Sequence, residues 1–215
     1  MTDPFLLRIP SVISDSQAES FLRSQCRSVF VPADVDVRHA VADDAAAIAA
    51  CYRNAYRTAA ERGYPSRMTD IEAETVADWL DADAVTFVAT PAQDVDADGL
   101  GAVEITTDES TTDGTTTTDP IVGTIRMLEE RPEPYLERLA VVDSWQGRGL
   151  GSHLVERVEG LARDRGYDCL QLTTFQDHPF LYDWYAGRGY EPIEHHERPQ
   201  RPYDFVTMER QFGAD

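Results

Sequence analysis

An apolar run, Leu139-Ala140-Val141-Val142-Asp143, gives way after Ser144-Trp145 to Gln146-Gly147-Arg148-Gly149-Leu150-Gly151-Ser152, and here the chain declares its architecture. The run reads as a buried strand. Beyond the turn, Leu154, Val158 and Leu161 recur at helical spacing, so a helix begins near Gly149. Three glycines in alternate positions between the two elements remove side chains that would hold an anion away from the backbone. The helix start then offers unpaired N–H donors and the positive end of its dipole, a ready site for phosphate. Two nucleotide-binding patterns are excluded. Gly-Lys-Ser/Thr does not occur, and the chain has no lysine, so the turn is not a P-loop. The G-x-G-x-x-G pattern fails because Ser152 stands where its last glycine belongs.

Working outward from this turn, strands and helices alternate. Tyr135 to Val142 reads as the strand, Gly149 to Arg163 as the helix, and Cys169 to Thr174 as the next strand. His178 to Arg188 is a short helix, and Tyr190 to Glu194 and Tyr203 to Arg210 are the closing strands. Upstream, Val35 to Ala40 is a strand, and Asp43-Asp44 opens an alanine-rich helix that reaches Ala60 and is broken by Arg62-Gly63-Tyr64-Pro65-Ser66. Thr69-Asp70-Ile71-Glu72 reads as the cap of a helix carrying Val76 and Leu80 on one face. Ala84 to Ala89 and Val122 to Met127 supply two further strands. The order β-α-α-β-β-β-α-β-α-β-β describes a mixed α/β domain.

Two segments stand outside that alternation. Residues 1–34 read as an appendage with one short helix: Ser14-Asp15-Ser16-Gln17 has capping-box spacing, and Phe21, Leu22, Cys26, Val29 and Phe30 follow at helical intervals. Residues 91–120, rich in Asp and Thr, read as an acidic insertion in a hairpin of the 35–215 domain, with room for a strand at Leu100 to Ile105.

Composition narrows the function classes. The 215 residues suffice for one filled domain and an appendage, and 42% hydrophobic content supports a core. No apolar run approaches the roughly 20 residues of a membrane span, and Met1-Thr2-Asp3-Pro4-Phe5 lacks the features of a signal peptide, so a cytoplasmic protein is expected. Cys26, Cys51 and Cys169 form no C-x-x-C pair, and His39, His153, His195 and His196 show no ligand spacing, so no metal site is expected. Thirty-nine acidic residues face 19 basic ones, all arginine, for a net charge of -20. Such a chain repels nucleic acid and anionic membranes. Its lack of lysine points to a halophilic origin, because the Debye length of about 3 Å at 1 M salt screens the self-repulsion of surface carboxylates.

Gln146, Gly149 and Gly151 match Q/R-x-x-G-x-G/A, the acetyl-CoA pyrophosphate motif of the GNAT superfamily of N-acetyltransferases. Leu181-Tyr182-Asp183-Trp184-Tyr185-Ala186-Gly187-Arg188-Gly189-Tyr190 resembles that superfamily's later motif, an aromatic-rich helix ending in Tyr-x-x-x-Gly-Phe/Tyr. The resemblance covers residues 35–212. It departs at His178, where many members carry asparagine, and in the 91–120 insertion.

The resemblance implies a twisted, mostly antiparallel sheet of about seven strands flanked by about four helices. It implies acetyl-CoA as co-substrate, with pyrophosphate on the backbone of Gln146, Gly147, Arg148, Gly149, Leu150, Gly151 and Ser152, the Arg148 side chain adding a charged contact, and the pantetheine arm along Leu139 and Val141. An amine resembling lysine, with a pKa of about 10.4, must lose a proton before it attacks, and the departing thiolate leaves better with one. Glu137 is the candidate base, or else an ion-pair partner of Arg126 or Arg138. Tyr185 is the candidate acid, or else a packed aromatic. His178 is a second proton carrier or a helix cap. The acceptor is expected over residues 56–70 and the late strands, where Arg57, Arg62 and Arg67 suit a carboxylate unless acidic neighbours pair with them. Three functions follow: acetylation of a small-molecule amine, acetylation of a protein N-terminus or lysine, and non-catalytic acyl-CoA sensing. A homodimer using residues 1–34 is compatible with the family.

Overall fold

The computed structural model describes residues 35–82, 84–92, 120–201 and 203–213. The expected helix in residues 1–34, the expected strand at Leu100 to Ile105 and most of the acidic insertion lie outside the described residues.

Seven strands form one sheet: β1 (Val35–His39), β2 (Ala84–Pro91), β3 (Gly123–Leu128), β4 (Tyr135–Val141), β5 (Cys169–Phe175), β6 (Glu191–His196) and β7 (Phe205–Gln211). Their spatial order is β1-β2-β3-β4-β5-β7-β6. Every neighbouring pair is antiparallel except β4 and β5. Among the described residues four α-helices accompany it: α1 (Ala45–Glu61), α2 (Ala73–Leu80), α3 (Leu150–Asp164) and α4 (Leu181–Ala186). This is the sheet and helix set that the resemblance implied.

Alternation along the strands divides the core between two faces. Phe87, Ile125, Met127 and Leu136 pack with Leu150, Leu154, Val155 and Val158 of α3. Val88 and Ala140 pack on the other face with Ile48, Ala49 and Tyr52 of α1 and Val76 of α2. Burial beneath α3 extends to one carboxylate, Glu159, which receives Arg210 Nη1 at 2.6 Å and the Tyr190 hydroxyl at 3.1 Å. Two charge-assisted bonds of this kind offset the desolvation of a buried anion.

Some boundaries differ from expectation. Thr69 does not cap α2. Ser66 caps a 3-10 turn, Arg67–Asp70, by accepting the Met68 N–H, and the Thr69 hydroxyl donates to the Ser66 carbonyl. Ile71 is extended and buried, so α2 starts afresh at Ala73. The helix expected from His178 is confined to Leu181–Ala186. β2 runs on to Pro91, the first residue of the expected insertion, which pairs with Val35.

Candidate active site

The ladder between β4 and β5 covers only Tyr135↔Gln171 and Leu136↔Leu172. Beyond it the parallel strands part, opening a gap in the middle of the sheet. At the same point β4 bulges against β3. Thr124 faces Ala140 and Arg126 faces Glu137, so Arg138 and Leu139 together oppose Ile125. Arg138 takes up the extra residue with φ +55°, a left-handed conformation that costs a non-glycine residue roughly 1 kcal/mol or more.

The bulge sends Glu137 and Arg138 to the α1/α2 face and Leu139 to the α3 face. Past it, the Val142 N–H donates to the Val122 carbonyl at 3.0 Å. Alternation in an antiparallel ladder therefore turns the N–H and C=O of Val141 toward the gap. That carbonyl accepts from Gln146 Nε2 at 3.0 Å, and the Leu139 carbonyl accepts from the Tyr56 hydroxyl at 3.3 Å. The Val141 N–H is the gap-facing donor.

On the α3 side, the turn from Gln146 to Gly149 leads directly into the helix. Gly147 has φ +74° and Gly149, the N-cap of α3, has φ +86°, so backbone conformation demands glycine at both. Gly151 is different: a Cβ there would meet Trp184 and Val141 at an ordinary 3.8 Å. No side chain caps α3, and its first internal bond runs from the His153 N–H to the Gly149 carbonyl at 3.0 Å. The N–H groups of Leu150, Gly151 and Ser152 are thus left without partners inside the helix. Arg148 is exposed above the Trp145 ring, 5.1 Å from its centroid. Sequence reasoning missed Arg188, which stacks 3.7 Å from the Trp184 centroid and donates to the Ser152 hydroxyl. It also missed the tether from α1, where Asn54 accepts the Asp143 N–H at 2.9 Å and the Thr58 hydroxyl donates to Asp143 at 2.8 Å.

Tyr185, on α4, is buried, its ring centroid 4.8 Å from that of Trp184 and 5.6 Å from that of Tyr190. Burial, first, and the nearby Tyr56 phenol push its pKa well above the ordinary tyrosine range. Tyr56 approaches from α1 and is itself pushed up to about 12, by burial and by Glu137 against the opposing pull of Arg138. Two protonated phenols thus lie near one another, Tyr185 packed in the core under α3 and Tyr56 against the core under α1.

Glu137 sits on the α1/α2 face in the ion pair that its strand position allowed. Its Oε1 takes Arg126 Nη1 at 3.1 Å and also Arg138 Nη1. Arg126 is almost fully buried and donates to the Trp79 carbonyl at 3.1 Å, and Arg138 lies 3.7 Å from the Trp79 centroid. Arg126 Nε and the Thr86 hydroxyl are both buried without a hydrogen-bond partner. These two residues face each other across β2 and β3, so one water could serve both.

The outer rim is braced. The Tyr203 hydroxyl donates to the Pro65 carbonyl at 2.7 Å, and the Tyr64 hydroxyl to the Asp177 carbonyl at 3.1 Å. Tyr64, Phe175 and Tyr203 form one aromatic cluster with ring separations of 4.8 to 5.7 Å. His178 Nδ1 accepts the N–H groups of Leu181 and Phe180 at 3.1 and 3.2 Å, so its side chain caps α4. Arg57, Arg62 and Arg67 are exposed and make no ion pair among the described residues, so the acidic pairing weighed for them is not found. Among those residues no group of three His, Cys, Asp or Glu side chains is arranged to hold a metal ion, and no helix is long and apolar enough to cross a membrane.

Comparison with known proteins agrees with this geometry. A 38% identical stretch of 80 residues is shared with mouse N-alpha-acetyltransferase 80, covering 34% of this chain and 24% of that protein. The fold resembles PaiA N-acetyltransferase of Thermoplasma acidophilum, solved with coenzyme A (14% identity, TM-score 0.58, 83% of this chain and 99% of that one). It resembles the ribosomal-protein-S18-alanine N-acetyltransferase of Escherichia coli to the same degree (14% identity, TM-score 0.58, 84% and 96%). YncA of Salmonella typhimurium, solved with its cofactor acetyl-CoA, is a third such structure (16% identity, TM-score 0.58, 85% and 96%). The model of the acetyltransferase (GNAT) family matches residues 53–190, more than half of the chain, and the protein with this split sheet and open helix start belongs to that family.

Proposed function

We propose that this N-acetyltransferase transfers the acetyl group of acetyl-CoA to the primary amine of a small molecule. The observation that carries the reading is the gap between β4 and β5, with an uncapped, glycine-led helix start and Tyr185 on one side and Glu137 on the other. The residues fit the co-substrate. Backbone donors of Gln146 through Ser152 would hold its pyrophosphate, with Arg148 beside them, and the edge of β4 at Leu139 and Val141 would hold the pantetheine arm.

Acetyl-CoA supplies a thioester whose carbonyl carbon bonds to the acceptor nitrogen as the C–S bond breaks. The chain's own residues handle the protons and the charge. Glu137 Oε2 takes the proton of the acceptor ammonium, directly or through water, because Oε1 is occupied by two guanidinium groups. Tyr185 Oη, kept protonated by burial, gives its proton to the departing sulfur, and the second proton that the nitrogen loses as the amide forms replaces it. The Val141 N–H stabilises charge gathering on the carbonyl oxygen.

A small acceptor is supported by the rim. Tyr203 on Pro65 and Tyr64 on Asp177 tie together the segments that would have to separate around a peptide. The likeness to mouse N-alpha-acetyltransferase 80 favours a second reading, a protein N-terminus, over the 80 residues it covers. The ion pair of Glu137 favours a third, an acyl-CoA sensor that does no chemistry.

Thiol release from acetyl-CoA in concentrated KCl, across amines, amino acids, polyamines and N-terminal peptides, tests all three. Turnover of small amines alone supports the proposal, and turnover of peptides alone replaces it. Coenzyme A binding without turnover favours the sensor, and no binding by calorimetry defeats the assignment. The lysine-free, acidic composition further supports a halophilic cytoplasmic enzyme, in which residues 1–34 are an appendage to the catalytic domain. Dialysis into dilute buffer should unfold it, and retained structure there would remove the halophilic reading.

A further inference from the structure

We propose that Arg138, backed by Arg126, is a recognition site for a carboxylate on the acceptor. The substrate is then an amino acid or a similar amino-carboxylate. This rests on the acetyltransferase reading above and names the chemistry of its acceptor.

Charge is the first ground. Arg126 and Arg138 both pair with one oxygen of Glu137, and among the described residues neither makes an ion pair with any other carboxylate. The cluster therefore holds a surplus positive charge on the α1/α2 face of β3 and β4, in a chain of net charge -20. Arg126 is buried and spent on Glu137 and the Trp79 carbonyl, so it cannot reach a ligand. Arg138 can. One face of its guanidinium lies on Trp79 and Nη1 is on Glu137, while Nε and Nη2 make no hydrogen bond with the described residues. About a quarter of its side chain is exposed, 24%. The free edge of that planar fork matches the two oxygens of a carboxylate.

Backbone conformation is the second ground. Position 138 has φ +55°, which glycine or asparagine would adopt with less strain. Arginine there keeps a side chain where conformation argues against one, and such strain collects at functional positions.

Placement is the third. The cluster lies on the face of β4 opposite α3, so an acceptor held there would approach from the side away from the pyrophosphate turn. Glu137 Oε2 makes no hydrogen bond with the described residues, so one carboxylate can hold the arginines through Oε1 and receive a substrate ammonium through Oε2. An amine and a carboxylate a few atoms apart would meet Glu137 and Arg138 together. Partial burial also shields this contact from molar salt better than any surface pair.

The test uses the full chain in concentrated KCl and matched acceptors: alanine, alaninamide and ethylamine; phenylalanine, phenylalaninamide and phenethylamine. The free acids should lead in kcat/KM by about 10-fold or more. In Arg138→Asn, whose asparagine tolerates the left-handed backbone, that preference should fall below about 3-fold with coenzyme A affinity unchanged. Amides or plain amines turned over as fast as the acids, or a preference that survives in Arg138→Asn, would overturn the proposal while leaving the acetyltransferase reading intact. Should the variant fail to fold, the wild-type comparison of acid with amide decides alone. If no amine releases thiol, the acetyltransferase reading fails instead, and calorimetry of N-acetylalanine against N-acetylalaninamide reads the site directly. Equal or weaker binding of the acid would then overturn it.

Discussion

The two sides of the gap are built from different materials. On the α3 side, the turn from Gly147 to Ser152 presents main-chain N–H groups, and its geometry depends on two glycines with positive φ. On the α1/α2 side, Arg126, Glu137, Arg138 and Trp79 meet as side chains from β3, β4 and α2. A main-chain site is fixed by local conformation and binds a feature common to every substrate. A side-chain site is assembled from distant positions and can diverge with the acceptor. The difference teaches where to look for general chemistry in this molecule and where to look for selectivity.

The largest effect that could break this contrast is at Tyr185. Replacing it with phenylalanine removes the hydroxyl proposed to protonate sulfur and should lower turnover by about 10- to 1,000-fold, with coenzyme A affinity almost unchanged in calorimetry. An unchanged rate would make it a packed aromatic. Glu137→Gln should reduce kcat by about 10- to 100-fold with coenzyme A affinity almost unchanged. If only stability changed, Glu137 would be the counter-ion of the two arginines and nothing more.

Gly149→Ala against Gly151→Ala sharpens the main-chain side. The first forces a left-handed alanine, costing about 1–2 kcal/mol, and should weaken coenzyme A binding by about 10-fold; the second should be nearly silent, because its Cβ finds 3.8 Å of room. Equal losses would mean that space, not conformation, selects these glycines. Tyr203→Phe removes the bond to Pro65 at a cost of about 1 kcal/mol in denaturant unfolding, and should admit peptide acceptors if the brace excludes them.

Smallest is a control outside both regions. Asp44 is buried, which alone would raise its pKa, but the Arg38 hydrogen bonds, the Val41 N–H and the Arg38 charge together hold it below 3.8. A carboxyl lowered on folding contributes fully above its unfolded pKa and less as pH falls through the folded value. Asp44→Asn should therefore lower the melting temperature at neutral pH, and the gap to wild type should close in acid.

Legibility followed the same division. The glycine turn, the strand before it and the helix after it could be read because each is written in consecutive residues. The pairing of Glu137 with Arg126 or Arg138 was readable as an alternative, since alternation brings β3 and β4 residues together. The bulge was not readable: arginine is a poor advertisement for a left-handed residue, and no glycine marks the place. Tyr56 on Leu139 spans 83 residues of sequence and Tyr203 on Pro65 spans 138, so neither leaves a local trace. The α2 start was misplaced because Thr69 is taken up in the 3-10 turn that Ser66 caps, and the extended, buried Ile71 separates that turn from α2.

With only two register pairs stitching β4 to β5, the sheet is two blocks, β1–β4 and β5–β7, that share a short seam. Cross-strand bonding is thinnest there, so amide protons along the far half of β4 should exchange sooner than those shared by β2 and β3. A ligand strand lying in that seam would act as mortar between the blocks, and saturation at 100 times its Kd would add about 2.7 kcal/mol to the whole molecule. For this enzyme, the supply of its co-substrate would then also set how long the protein survives a protease.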